Sequence, residues 1–172
     1  MSRVHSFPPI VAQHSRILIL GSMPGVESLR KGEYYAHPRN LFWRILGTLL
    51  EFNPALSYTE RVEALQSAGI SVWDVLQSCT RQGSLDSAIE AASIMPNNFS
   101  VFYEKNPAIT RVYFNGSAAE QIYRRKVLPA LGDHAVRYMR LPSTSPANAS
   151  INYAGKLDAW REISQPEVYS LG

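Results

Sequence analysis

Cysteine is nearly absent from this 172-residue chain: Cys79 stands alone, which excludes an internal disulfide and, with it, a thiolate-rich metal centre. The four histidines, His5, His14, His37 and His134, are scattered, and no metal-ligand cluster is expected. No apolar run approaches the roughly 20 residues of a membrane-spanning helix, and no charged, apolar, small-residue leader opens the chain. That combination predicts a cytoplasmic protein. Lysine is scarce too, with 13 of the 17 basic residues arginine and a net charge of only +3. So small a charge does not mark a nucleic-acid surface, although the planar arginine fork suits phosphate better than an ammonium does. The 10 glycines include neither a G-x-G-x-x-G series nor a Gly-Lys-Ser/Thr, which excludes the dinucleotide fingerprint and the phosphate-cradling P-loop.

What is present is apolar content of 45%, enough to bury a core as one domain over 1–172. Ile17-Leu18-Ile19-Leu20 is too short for a buried helix and reads as a strand covered on both faces, ending in the loop Gly21-Ser22-Met23-Pro24-Gly25. Phe42, Ile45, Leu46 and Leu49 recur at helical spacing within Leu41–Leu50. Ser57 and Glu60 form a capping box ahead of a helix that carries Val62 and Leu65 and ends near Gly69. Further strands are predicted at Ile70 to about Val75, Arg111–Phe114 and Ala135–Leu141. A helix from about Ser117 to Leu128 is expected to stop at Pro129, and Tyr153, Leu157, Trp160 and Ile163 stripe a last helix. Strands alternating with helices predict a single-domain, three-layer α/β/α sandwich around a four-stranded parallel sheet. The first 14 residues or so and the tail from about 166 to 172 are expected to be flexible.

Three strand ends carry unusual sequences: Gly21–Gly25, Asn115-Gly116-Ser117, and Pro142-Ser143-Thr144-Ser145-Pro146-Ala147-Asn148. In a parallel sheet they share one edge, where open sheets bind ligands. A cleft of small hydroxyl residues, prolines and backbone amides suits a phosphodiester better than an apolar metabolite.

Four segments in order resemble the uracil-DNA glycosylase superfamily, in its hypoxanthine-DNA (deoxyinosine) glycosylase branch. They are Gly21–Gly25, the run Tyr34-Tyr35-Ala36-His37-Pro38-Arg39-Asn40-Leu41-Phe42-Trp43, the strand end Val72-Trp73-Asp74-Val75, and Leu141-Pro142-Ser143-Thr144-Ser145-Pro146. The resemblance spans nearly the whole chain. It implies a monofunctional, monomeric enzyme that acts on DNA containing deaminated bases, flipping the base and hydrolysing its bond to deoxyribose without a cofactor or metal. In a bacterium it would be associated with the nucleoid. The chain departs from many relatives at Met23, where they carry an aspartate or asparagine that positions the attacking water; a thioether cannot do that.

Breaking an N-glycosidic bond leaves positive charge on the sugar and negative charge on the base. Asn40 is the candidate catalytic residue, because its amide can accept from a water and donate to the base, and the resembled branch places its catalytic asparagine in this segment. It also suits a helix N-cap. The expected base pocket consists of Gly21, Ser22, Met23, Pro24, Tyr35, His37, Trp73, Asp74 and Asn115. In it Tyr35 stacks on the flipped base, the Ser22 and Met23 amides hold its oxygen while the Met23 side chain covers the pocket, and Trp73 walls it. Asp74 either accepts the ring N–H that hypoxanthine and uracil share or caps a helix. Gly25, Ser143, Thr144, Ser145, Pro146 and Asn148 are expected at the DNA backbone, with Ala147 or Asn148 reaching toward the vacated gap. Nothing in the sequence marks Lys156 as a desolvated nucleophile. A uracil or mismatch glycosylase, a lesion-binding module without catalysis, and a small-molecule phosphate enzyme stay open as alternatives.

Overall fold

A computed structural model describes residues 2–132 and 134–167. The strands and helices in chain order are β1 (Arg3–His5), β2 (Ile17–Gly21), α1 (Val26–Lys31), α2 (Phe42–Leu50), α3 (Tyr58–Ser67), β3 (Ile70–Asp74), β4 (Leu76–Thr80), β5 (Met95–Pro96), α4 (Phe99–Lys105), β6 (Arg111–Asn115), α5 (Ser117–Lys126), α6 (Leu128–Leu131), β7 (Arg137–Leu141) and α7 (Tyr153–Trp160).

Four of the strands form the expected parallel sheet, in the order β3-β2-β6-β7. The branched run of β2 is buried at every position because it is central and covered twice. Its alternation divides the core: Ile17 and Ile19 join Ile45, Leu46, Leu65 and Trp160 on one face, and Leu18 and Leu20 join Phe99, Phe114 and Tyr123 on the other. The three layers are therefore α2, α3 and α7, then the sheet, then α4 and α5. The chain leaves β2 for β3 on one side, while β6 and β7 add on the other, so the strand order reverses between β2 and β6. That is where an open α/β sheet gathers its ligand loops.

A second, antiparallel sheet, β1-β4-β5, was not anticipated. After Asp74 the chain does not turn away: the Val75 and Leu76 amides donate to the Gly21 and Ser22 carbonyls at 2.8 and 3.1 Å, and β4 then pairs with β1. The N-terminal stretch expected to be flexible is consequently tied down. Arg3–His5 is a strand, Ile10 bridges Val72, and the Phe7 carbonyl accepts from Trp73 Nε1. At the other end Glu167 meets Thr110 and Arg16, and residues 168–172 lie outside the described ones. Pro129 does not simply end the helix after Asn115; it opens α6, in the first turn where a missing N–H costs nothing. The last strand starts at Arg137, two residues later than predicted, and the final stripe is split between α7 and a 3₁₀ turn that buries Ile163. Among the described residues no helix is long and apolar enough to cross a membrane.

Candidate active site

The carboxyl ends of β2, β3, β6 and β7 open into one cleft of about 140 Å³. Among the residues that line it are Gly21, Ser22, Met23, Pro24, Gly25, Tyr35, His37, Asn40, Asp74, Asn115, Ser143, Thr144, Ser145 and Pro146, so five stretches far apart in sequence converge. A wider depression of about 620 Å³ adjoins it, sharing Ser84, Asp86, Ser143 and Ser145 and reaching Asn148.

The loop after β7 is the most heavily fixed part. Asn115 Nδ2 donates to Thr144 Oγ1 at 3.0 Å, and its Oδ1 accepts from the Thr144 amide at 2.9 Å. The Thr144 carbonyl takes the Leu41 amide at 3.0 Å, and Trp160 Nε1 donates to the Pro142 carbonyl at 2.9 Å. Gly116 makes the approach possible: its φ is +96°, and a Cβ there would lie 3.0 Å from that of Ser143. Thr144, expected at the DNA backbone, is instead buried, with its hydroxyl, amide and carbonyl all engaged inside the fold. It is a clip that joins three loops. Asn115 likewise spends both ends of its amide on that clip, although it lines the cleft.

Asn40 sits two residues ahead of α2, its Oδ1 accepting from the Phe42 amide at 3.0 Å and its backbone N–H donating to the His37 carbonyl at 2.9 Å. The N-cap itself is Leu41, not Asn40, but the bond to the first helical amide still fixes the Asn40 side chain where it lines the cleft. His37 Nδ1 accepts from the Arg39 amide at 3.0 Å, which fixes the ring within the same turn. Tyr35 holds a left-handed backbone (φ +54°), uncommon for an aromatic residue. One face of its ring stacks on Phe42 at 4.0 Å between centroids, and its buried hydroxyl lies near the Asn115 side chain without a well-formed hydrogen bond. Burial, reinforced by the Asp74 charge, pushes that hydroxyl well above the ordinary phenol range.

Asp74 is buried at the floor, and its Oδ2 has no hydrogen-bond partner. Desolvation, then the Asp86 charge, raise its carboxyl from 3.8 to about 7, against a smaller opposing pull from Arg81. A Cβ on Gly21 would fall 2.6 Å from Asp74 Oδ1 and 3.0 Å from the Tyr35 hydroxyl, so only glycine leaves both groups in place. Asp74 is not a helix cap, because β4 follows it directly.

Three further expectations are corrected. Trp73 does not wall the pocket: successive strand residues face opposite ways, so with Asp74 in the cleft Trp73 lies on the other face against Phe99 and Phe102. The Met23 side chain is no lid either. It is buried against Leu76 and Cys79 below the loop. Lys156, moreover, is a desolvated amine after all, 2% exposed and held low in pKa by burial, with Nζ donating to the Asn148 carbonyl at 2.7 Å.

The sequence reading missed the segment after β4. Arg81 is buried, with Nε donating to the Gly83 carbonyl and Nη2 to the Pro24 carbonyl, and so lashes this segment to the loop after β2. Ser84 Oγ accepts from the Val26 amide at 2.8 Å, and Asp86 Oδ1 accepts from Ser22 Oγ at 2.5 Å. Asp86 thereby joins Asp74 and Glu27 as a carboxylate of the cleft. Neither periodicity nor a known spacing singles out Gln82-Gly83-Ser84-Leu85-Asp86.

A parallel sheet whose reversal point carries a polar, uncharged amide, a buried carboxyl and Ser/Pro loops has the ligand cleft of an open α/β protein without the glycine-rich loop of a nucleotide-phosphate cradle. Sequence comparison supplies the family: residues 8–164 match the Uracil DNA glycosylase superfamily, and the chain belongs to it. It is 39% identical over 127 residues to the hypoxanthine DNA glycosylase of Methanosarcina barkeri (strain Fusaro / DSM 804), covering 73% of this chain and 78% of that one. The protein of the same name from Methanosarcina acetivorans is 37% identical over 133 residues, covering 72% and 83%. The solution NMR structure of a candidate uracil DNA glycosylase from Methanosarcina acetivorans superposes with a TM-score of 0.77 at 32% identity, over 95% of this chain and all of that one.

Proposed function

We propose that this chain is a DNA glycosylase that releases hypoxanthine from deoxyinosine by hydrolysing the bond between base and sugar. The observation that carries the reading is the buried Asp74 carboxyl, aimed past Gly21 into a cleft that also holds Asn40. Hypoxanthine presents a ring N–H where adenine has a bare nitrogen. An ionised Asp74 accepts from that N–H and leaves adenine facing a buried lone pair, the arrangement that discriminates most strongly. The names of the Methanosarcina relatives favour the same substrate.

Asn40 positions the attacking water. The Phe42 amide occupies one lone pair of its Oδ1 and fixes the plane of the amide, which leaves a second lone pair for water and two N–H donors for the departing base. Without a titratable group the residue orients and polarises, and the electrophilic sugar drives the reaction. The Ser22 and Met23 amides are the donors for the base oxygen, His37 supports the leaving group, and Tyr35 presents its free ring face to the base. Asp86, braced by Ser22, sets a carboxylate at the cleft mouth where positive charge develops on the sugar. Gly25, Ser143, Ser145, Pro146 and Asn148 lie along the path of the DNA backbone. The enzyme works as a cytoplasmic monomer on DNA containing deaminated bases, with no cofactor and no metal.

The test is a panel of matched duplexes carrying one deoxyinosine, deoxyuridine or normal base, scored for alkali-labile abasic sites without added metal. Release from deoxyinosine in preference to deoxyuridine is expected. Release from deoxyuridine alone overturns the substrate, and selective binding with no release overturns the activity.

A further inference from the structure

We propose that Arg81 is a positioning residue of the base pocket: it pins the loop after β2 and supplies the fixed positive charge that lets a cleft lined by carboxylates receive the departing base as an anion. The inference deepens the glycosylase reading and rests on it. A base that leaves with the electron pair of the broken bond, while water adds to the sugar carbon, is an anion until it takes a proton. The cleft that receives it holds Asp74, Asp86 and Glu27. Glu27 is paired with Arg30 at 2.9 Å. Asp74 and Asp86 have no ion pair among the described residues. Two carboxylates in a poorly solvated cleft oppose a third negative charge, so release calls for a cation close by.

Arg81, directly after β4, is that cation. It is only 3% exposed, and a guanidinium keeps its charge when buried. Nε donates to the Gly83 carbonyl at 2.8 Å and Nη2 to the Pro24 carbonyl, while Nη1 is buried without a partner. A buried guanidinium with an idle donor and no bonded carboxylate costs stability, and a neutral donor would serve as well to tie two carbonyls. The charge reaches further than the donors do. It draws the Asp74 carboxyl down against burial and the Asp86 charge, and the Cys79 thiol down against burial. The other titratable groups facing Asp74 are the Tyr34 and Tyr35 hydroxyls, which burial keeps protonated. The bond to Pro24 holds this charge against the loop whose Ser22 and Met23 amides meet the base oxygen.

The experiment uses the full chain with isotope-labelled aspartate, so that NMR follows the Asp74 carboxyl, its signal being the one lost in Asp74→Asn. Single-turnover release from a deoxyinosine duplex is measured in parallel. Arg81→Gln keeps a donor and removes the charge, Arg81→Lys keeps the charge and loses the fork, and Arg81→Met replaces Arg81→Gln if that protein does not fold. Without the charge the Asp74 midpoint, about 7 in the unaltered protein, is expected to rise by at least about half a pH unit. Release at a pH of about 8, corrected for the ionised fraction of Asp74, falls at least about tenfold. Arg81→Lys leaves the midpoint in place and loses less than about threefold. An unmoved midpoint in the charge-free protein, or equal losses with and without the charge, reduces Arg81 to a structural tie and overturns the proposal. A midpoint that moves while the unaltered protein releases nothing from deoxyinosine overturns the glycosylase reading instead, and the role of Arg81 in release goes with it.

Discussion

Replacing Asp74 with asparagine removes the one buried carboxyl of the cleft whose titration the fold strongly perturbs, and the effect on stability has a definite sign. Burial and the Asp86 charge raise this carboxyl from 3.8 to about 7, so the folded chain holds a proton that the unfolded chain releases. A raised pKa stabilises the fold fully below the unfolded value, and that contribution fades as pH climbs through the folded one. Three pKa units correspond to about 4 kcal/mol, so between pH 4 and 8 the unaltered protein should lose up to about 4 kcal/mol relative to Asp74→Asn, which does not titrate. Groups that do not interact with Asp74 titrate alike in both proteins and cancel in the difference. Urea unfolding at pH 4.5, 6 and 7.5 measures it. Near-equal stability at pH 4.5, with a growing advantage for Asp74→Asn above it, is expected. A difference independent of pH, or an Asp74→Asn protein less stable at pH 7.5, would refute the assignment of a desolvated, unpaired carboxyl.

Catalysis should follow the same group in the opposite sense. Acceptance of the base N–H requires the ionised form, so hypoxanthine release rises with pH through about 7, and a rate that falls there would make Asp74 a donor instead. Gly21→Ala should lower release by roughly a hundredfold, because the new methyl would stand 2.6 Å from Asp74 Oδ1 and force that carboxyl to shift; a near-normal rate constant would contradict the geometry. Asn115→Ala breaks two hydrogen bonds and strands the buried Thr144 amide, at a cost of about 2–3 kcal/mol in unfolding free energy; a loss under 0.5 kcal/mol would show that the clip is slack. Borohydride should trap no covalent adduct with abasic DNA, since Lys156 Nζ is buried and committed to the Asn148 carbonyl. A trapped species lost in Lys156→Met would overturn that.

The legible parts of this molecule are those where one physical requirement dominates. The β2 run had to be a doubly covered strand, and the three Gly, Asn and Pro-Ser strand ends had to meet once the sheet was parallel. Trp73 was misplaced although the alternation of a strand already separated it from Asp74. The antiparallel sheet was hidden because β1 has three residues and Leu76–Thr80 mixes buried and exposed positions without a clean period. Asp86 and Arg81 were hidden for another reason: their importance comes from contacts with Ser22 and Pro24, about 60 residues away, and no local pattern encodes them. Thr144 reads as one more hydroxyl in a serine-rich loop until its three partners are seen.

The most direct test of the account is to incubate a deoxyinosine duplex with the unaltered protein and with Asn40→Ala, and to follow free hypoxanthine by mass spectrometry. Time-dependent release by the unaltered protein, lowered at least a hundredfold in an Asn40→Ala protein that still binds the duplex, is the predicted result. Release that survives the substitution, or binding by the unaltered protein with no hypoxanthine set free, would contradict it.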